Sequence, residues 1–212
     1  MSAGNQRPRV GIFGLTGCAG DQLQVLNCED QLLELARDLD IVDWVMAKSD
    51  NDHGSALDIA FVEGVVATDR DLKCLNNLRE RAAFLVAIGT CAVWGGLPAM
   101  QDGLAGAPPR LVGDTPSASG EARPASDFVA FDFLLPGCPI EREEFLALVR
   151  AVLAGTTPEL AAVPVCWECK TRELACRVIF HDEVCCGALT RGGCGARCPG
   201  HGVSCAGCRG PV

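Results

Sequence analysis

AFLVAIGT, residues 83–90, decides the fold. The run is apolar without alternation, so a strand built from it must be covered on both faces, the condition inside a parallel sheet. It ends on Gly89 and Thr90, and Cys91 follows at once. Toward the N-terminus, DRDLKCLNNLRERA (69–82) is polar and helical, and LDIAFVEGVVA (57–67) and IVDWVMA (41–47) read as strands. QLQVLNCEDQLLELARDL (22–39) carries apolar residues at helical spacing, and RVGIFGL (9–15) is a short apolar strand that runs into a turn. Toward the C-terminus, FVAFDFLLPG (128–137) reads as a strand and IEREEFLALVRAVLAG (140–155) as a helix. Strands and helices in alternation predict an α/β domain with a parallel sheet. Residues 101–126, rich in Gly, Pro, Ala and Ser, read as a surface loop or a partner-contacting insertion.

The chain has 212 residues, 49% of them apolar, enough to bury a core. Its net charge of −9 argues against nucleic acid and against an anionic membrane surface. No apolar run approaches the roughly 18 residues of a membrane span. The opening MSAGNQRPRV leads straight into a strand, with neither an apolar signal core nor a twin-arginine pair, so the expected location is cytoplasmic.

Fourteen cysteines are the anomaly. In a reducing compartment such a set is for metal rather than for disulfides. Cys18, Cys28, Cys74, Cys91 and Cys138 are scattered, and the other nine fall within 166–208. The composition changes at TTPELAAVP (156–164), which predicts a sheet domain over residues 1–158 and a cysteine-rich domain over 159–212. Cys18, Cys91 and Cys138 each follow a predicted strand, and so belong to the sheet edge where open α/β folds bind ligands. Neighbouring glycines (Gly17, Gly20, Gly89, Gly95, Gly96, Gly137) let backbone come close to a bulky group. Three thiolates converging from three loops suit an iron–sulfur cluster; buried, inert core cysteines are the plainer reading. LTGCAGDQ (15–22) has Asp21 where a C-x-x-C would have its second cysteine. Asp21 as a hard oxygen ligand, Cys28 reaching back, and a three-iron or solvent-ligated cluster are the readings open at that position.

The C-terminal stretch has cysteines at 166, 169, 176 and 185, and again at 194, 198, 205 and 208. These are two sets of four separated by a glycine-rich link, each a full complement for a cluster. Two zinc sites of four thiolates each are the alternative, although zinc favours two clean pairs per site. Cys186 is outside the count and reads as a free thiol, and Cys74, on a polar helix, as incidental.

GLTGCAGDQ (14–22), DIAFVEG (58–64), GTCAVWGG (89–96), LPGCP (135–139), PVCWECK (164–170) and CCGALTRGGCGARCPGHGVSCAGCRG (185–210) together resemble the small, electron-transferring subunit of nickel–iron hydrogenases. The likeness is to the signal-less subunits of cytosolic enzymes, the sulfhydrogenase δ and viologen-reducing γ type. It implies a flavodoxin-like domain that carries a proximal cluster and binds no flavin or nucleotide, followed by a small irregular domain with two more clusters. By that resemblance Cys18, Cys91 and Cys138, with Asp21 in the fourth place, hold the proximal cluster. Cys194, Cys198, Cys205 and Cys208 hold a medial 4Fe–4S cluster, and Cys166, Cys169, Cys176 and Cys185 an outer, distal one. The implied partners are a NiFe large subunit, where H2 is split, and a flavin-containing subunit that uses NAD(P). No catalytic residue is expected in this chain. The alternatives are a subunit of a hydrogenase coupled to heterodisulfide reductase or of another redox complex, such as a quinone-reducing one, and, in a different class, a zinc-binding scaffold. Glu63 reads as facing the partner's active site, or equally as a solvated or backbone-capping carboxylate. His53, His181 and His201 read as surface or hydrogen-bonding histidines, and Trp94 and Trp167 as packing beside cluster ligands.

Overall fold

In the computed structural model, which describes residues 7–102 and 122–212, the chain begins with β1 (Arg9–Gly14), α1 (Gly20–Leu26), α2 (Glu29–Asp38) and β2 (Asp40–Asp43). Next come β3 (Leu57–Glu63), the short β4 (Val65–Val66), α3 (Asp69–Arg81), β5 (Ala82–Ile88), α4 (Gly89–Trp94) and α5 (Gly96–Asp102). After the undescribed stretch follow β6 (Arg123–Pro124), β7 (Phe133–Leu135) and α6 (Arg142–Leu153). The C-terminal region has three short helices, α7 (Val165–Thr171), α8 (Arg177–His181) and α9 (Arg197–Gly200).

Five strands form one parallel sheet in the order β2-β1-β3-β5-β7. This is the flavodoxin-like doubly wound order, with its switch point between β1 and β3. The apolar run at 83–90 is buried for the reason its composition implied: alternate side chains of β3 and β5 go to opposite faces. Ile59, Phe61, Val86 and Ile88 pack with Val25 of α1, Leu35 of α2 and Phe145, Leu148 and Val149 of α6. Ala60, Val62, Leu85 and Ala87 pack with Leu75 and Leu78 of α3 and Ala92 and Val93 of α4.

Four expected elements are shorter or divided, each for a local reason. The helix expected over 22–39 is two helices, with Asn27 ending the first and Glu29 at φ 46° starting the second. The strand expected over 41–47 stops at Asp43, where the Trp44 backbone N–H turns to the Asn51 side chain. The strand expected over 57–67 breaks at Gly64, after which β4 leaves the main sheet and pairs antiparallel with β6. The strand expected over 128–137 is ordered as β7 alone, because the Asp132 carboxylate takes the Leu85 N–H at 2.7 Å and substitutes for a ladder carbonyl. Most of the loop expected over 101–126 lies outside the described residues; within it, Arg123–Pro124 form β6 and Ala125–Asp127 a 3-10 turn.

Among the described residues no helix is long and apolar enough to cross a membrane.

Candidate metal centre

The carboxyl ends of four strands share one rung: Gly14 pairs with Glu63, Glu63 with Ile88, and Ile88 with Leu135. The loops that leave this rung carry Cys18, Cys91 and Cys138, so parallel register brings together residues up to 120 positions apart in sequence (138 − 18). Asp21, in the first turn of α1, joins them, and Cys18, Asp21 and Cys138 are all close enough to Cys91 to act on its charge. Two glycines make the room. Gly89 has φ +84° and faces the Asp21 carboxylate, where a Cβ would stand 1.8 Å from Oδ2. A Cβ on Gly96 (φ +55°) would stand 2.9 Å from the Cys91 sulfur. Cys18 and Cys138 are exposed, so the set opens at the surface.

Burial, and the charges of neighbouring groups in the set, govern its electrostatics. Burial, then the charges of Cys138, Asp21 and Cys18, push the Cys91 thiol up to about 11. Burial pushes the Asp21 carboxyl up to about 7, against the Ile140 N–H that donates to its Oδ1 at 2.8 Å and with help from the Glu63 charge. A bound cation reverses such shifts, so the donor set fits a metal group. Glu63 itself is 2% exposed and receives the Gln22 N–H at 3.1 Å. Burial raises its pKa while the amides of Gln22, Asp21 and Ala19 lower it, and together they make it the capping carboxylate at the start of α1.

In the C-terminal region the two sets of four line two separate cavities. A cavity of about 380 Å³ has Cys194, Cys198, Cys205 and Cys208 in its wall, with Cys138 at its edge. A smaller one, about 70 Å³, has Cys166, Cys169, Cys176 and Cys185. Burial, then neighbouring thiolates of the same set, raise Cys166 and Cys169. The Cys208 thiol goes up to about 11 through burial, opposed by a hydrogen bond from the Cys138 backbone amide and reinforced by Cys138, Cys194 and Cys205. Among the described residues no group of three or more His, Cys, Asp or Glu side chains closes round a single ion. Cluster ligands each take a different iron and stand further apart than the ligands of one tetrahedral zinc.

Several residues that tie the sets together escaped the reading of the sequence. Glu168, between Cys166 and Cys169, accepts the backbone N–H of Gly193 at 2.6 Å and of Ala196 at 3.0 Å, which flank Cys194. Arg209, 1% exposed, donates to Glu144 of α6 at 2.7 and 2.8 Å, to the Pro136 carbonyl at 3.1 Å and to the Gly192 carbonyl at 2.8 Å. Thr90 donates its hydroxyl to the Cys208 carbonyl at 2.6 Å. Their one signal in the sequence is position, since each lies beside a cysteine in the chain.

Comparison with known proteins decides the family. Residues 18–152 match the family model described as NADH ubiquinone oxidoreductase, 20 Kd subunit. The δ subunit of sulfhydrogenase 2 from Pyrococcus furiosus is 37% identical over 205 residues, covering 96% of this chain and 86% of the relative. The chain belongs to this family, as a small electron-transfer subunit of the NiFe-hydrogenase type. It is therefore an electron-carrying part of an oxidoreductase. A vhu subunit of the F420-non-reducing hydrogenase from Methanocaldococcus jannaschii is 28% identical, covering 95% of this chain and 81% of the relative. A chain of an NAD+-reducing [NiFe]-hydrogenase in its H2-reduced state aligns with a TM-score of 0.64 at 26% identity, covering 74% of this chain and 97% of that one.

Other residues singled out from the sequence of this hydrogenase-type subunit have ordinary surroundings. Cys28 is a core residue, 1% exposed, with its thiol on the Gln24 carbonyl at 3.5 Å. Cys74 packs against the α3 face of the sheet. The Cys186 N–H donates to the Cys205 carbonyl at 2.9 Å. His53 hydrogen bonds the buried Asp43 at 3.1 Å. Trp94 lies against Gly210 and lines the larger cavity, while Trp167 is 57% exposed.

Proposed function

We propose that this chain relays electrons through three iron–sulfur clusters between a NiFe large subunit that splits H2 and a flavin-containing subunit that uses NAD(P). The observation that carries the reading is the division of the eight C-terminal cysteines between two cavities along the same line that their spacing draws. Cys18, Cys91, Cys138 and Asp21 would hold the proximal cluster, Cys194, Cys198, Cys205 and Cys208 the medial one, and Cys166, Cys169, Cys176 and Cys185 the distal one. When bound, such clusters accept and release single electrons with little rearrangement. The chain's own part is to space them, to exclude water from the inner sulfurs and to donate amide hydrogens to them. Residues 1–158 would form the proximal-cluster domain and residues 159–212 the two-cluster domain, working in the cytoplasm.

Metal and sulfide analysis tests the reading. Each cluster should bring about four irons and four acid-labile sulfides; two zincs without sulfide would sink it. The Asp21→Cys variant should shift the EPR signal and midpoint potential of the proximal cluster, and no change in either would remove Asp21 from the ligand set. Copurification identifies the partners: a NiFe large subunit together with a flavoprotein is the expected result.

An acceptor other than NAD(P) has one observation in its favour. The NAD+-reducing enzyme's chain aligns with only 74% of this one although 97% of it is covered, whereas the F420-non-reducing relative covers 95%. Relatives of the second kind thus match more of the chain, and a heterodisulfide-reductase-coupled complex is the second reading. Reduction of NAD(P) by H2 in the purified complex separates the two.

A further inference from the structure

We propose that Thr90 is the positioning residue that holds the proximal and medial cysteine sets in electron-transfer contact. This rests on the reading above that both sets hold clusters. Three loops meet at Thr90. Its backbone N–H donates to the Gly137 carbonyl at 2.7 Å, one residue before Cys138. Its hydroxyl donates to the Cys208 carbonyl at 2.6 Å, a contact spanning 118 residues of sequence. Its own carbonyl carbon is bonded to Cys91. A single residue thereby joins the loops of two proximal cysteines to the loop of a medial one.

The consequence is that the two sets adjoin, with Cys138 in the wall of the same cavity that Cys194, Cys198, Cys205 and Cys208 line. Arg209 fixes the next residue from the other side, through Pro136 and Glu144. Outward, the Cys205 N–H donates to the Cys185 sulfur at 3.3 Å and joins the medial set to the distal one. Electron tunnelling decays more slowly through covalent and hydrogen bonds than across a gap, so the Thr90–Cys208 and Cys205–Cys185 contacts define the route. If the sets hold clusters, the medial set (Cys194, Cys198, Cys205, Cys208) would take up the single electron that the proximal set (Cys18, Asp21, Cys91, Cys138) gives up. No bond breaks and no proton is transferred.

Thr90 is preferred to Arg209 as the test residue because valine removes its hydroxyl and keeps its shape. Loss of that hydrogen bond frees the Cys208 loop and draws the Cys138 amide, which bears on the Cys208 thiol, away from it. Hydrogen bonds to cluster sulfurs favour the reduced, more negative state. The experiment compares the wild type, Thr90→Val, Thr90→Ala and Thr90→Ser in the purified complex. Iron and sulfide content, thermal unfolding and redox-titrated EPR are measured on each. The expected result is a lower midpoint potential for the medial cluster and a weaker magnetic splitting between the reduced proximal and medial clusters in the valine variant, with both restored in the serine variant. Thr90→Ala should match valine, and it replaces valine if that variant does not assemble. Full iron content with unchanged potential and splitting in the valine or alanine variant overturns the proposal, even where the melting temperature falls. A wild type without iron and sulfide overturns both this inference and the function on which it rests.

Discussion

The sheet region and the cysteine-rich region are held together by different means. On the two faces of the sheet, large apolar side chains from the strands and the helices packed on them are buried in continuous layers. After residue 164, the buried apolar group is Val165, Ala196 and Cys205, with Cys169, Leu174, Cys185 and Cys194 beside it. Val178, Ile179, Phe180, Val184 and Leu189 are exposed instead. Three small side chains cannot offset the entropy of ordering nearly fifty residues, about 1 kcal/mol or more each. The region depends on its cysteines, on the backbone bonds among its loops and on anchors to the sheet: Arg209 to Glu144, Arg197 to Glu141 and Thr90 to Cys208. Small metal-dependent modules have this character.

The largest expected effect separates the two regions directly. On the proposed cluster reading, iron stripping with a chelator and reductant should unfold residues 165–210 and leave the sheet intact. Hydrogen exchange would show lost protection after residue 164 with β3 and β5 still protected, and equal protection in both regions would break the comparison. Next in size is a core truncation. Leu85→Ala, at a fully buried position on β5, should cost about 3 kcal/mol in denaturant unfolding and lower the melting temperature of the sheet. A small effect there would mean that the sheet is not the independent unit.

The joint between the regions should respond less. Arg209→Met leaves Glu144 without its partner, but the Glu144 side chain is 19% exposed and water reaches it, so the cost should be about 2 kcal/mol. Its distinguishing sign is faster amide exchange around Gly192 and Cys208 with no change in β1. The smallest effect is electrostatic and confined to the sheet region. The Ser55 hydroxyl, the Ser55 and Gly54 amides and Arg9 hold the Asp52 carboxyl well below the ordinary range. Its folded pKa is depressed, so its stabilisation is present above about pH 4 and is lost as pH falls toward the lower native value. Asp52→Asn should therefore be slightly less stable than wild type at pH 7 and equal to it in strong acid, as unfolding curves at the two pH values would show.

Much of this was legible in particular residues. Unbroken apolarity at 83–90 announced a strand covered on both faces, and β5 lies between β3 and β7. The spacing of the last eight cysteines divided them as their cavities do. Glu63 was readable as a capping carboxylate, and Gln22 and its neighbours make it one. The break at Asn27–Cys28 and the short β7 were not readable, because an end set by Asp132 reaching another strand is invisible to local pattern.

By itself the sequence determined the α/β class, the sets of cysteines and the family, because periodicity, spacing and motif identity are written along one dimension. Only the tertiary structure decided which loops share a rung, that Asp21 is buried under Gly89 beside Cys91, and that Cys138 shares a cavity with Cys208. Those facts depend on parallel register and loop packing, which bring together residues far apart in the chain.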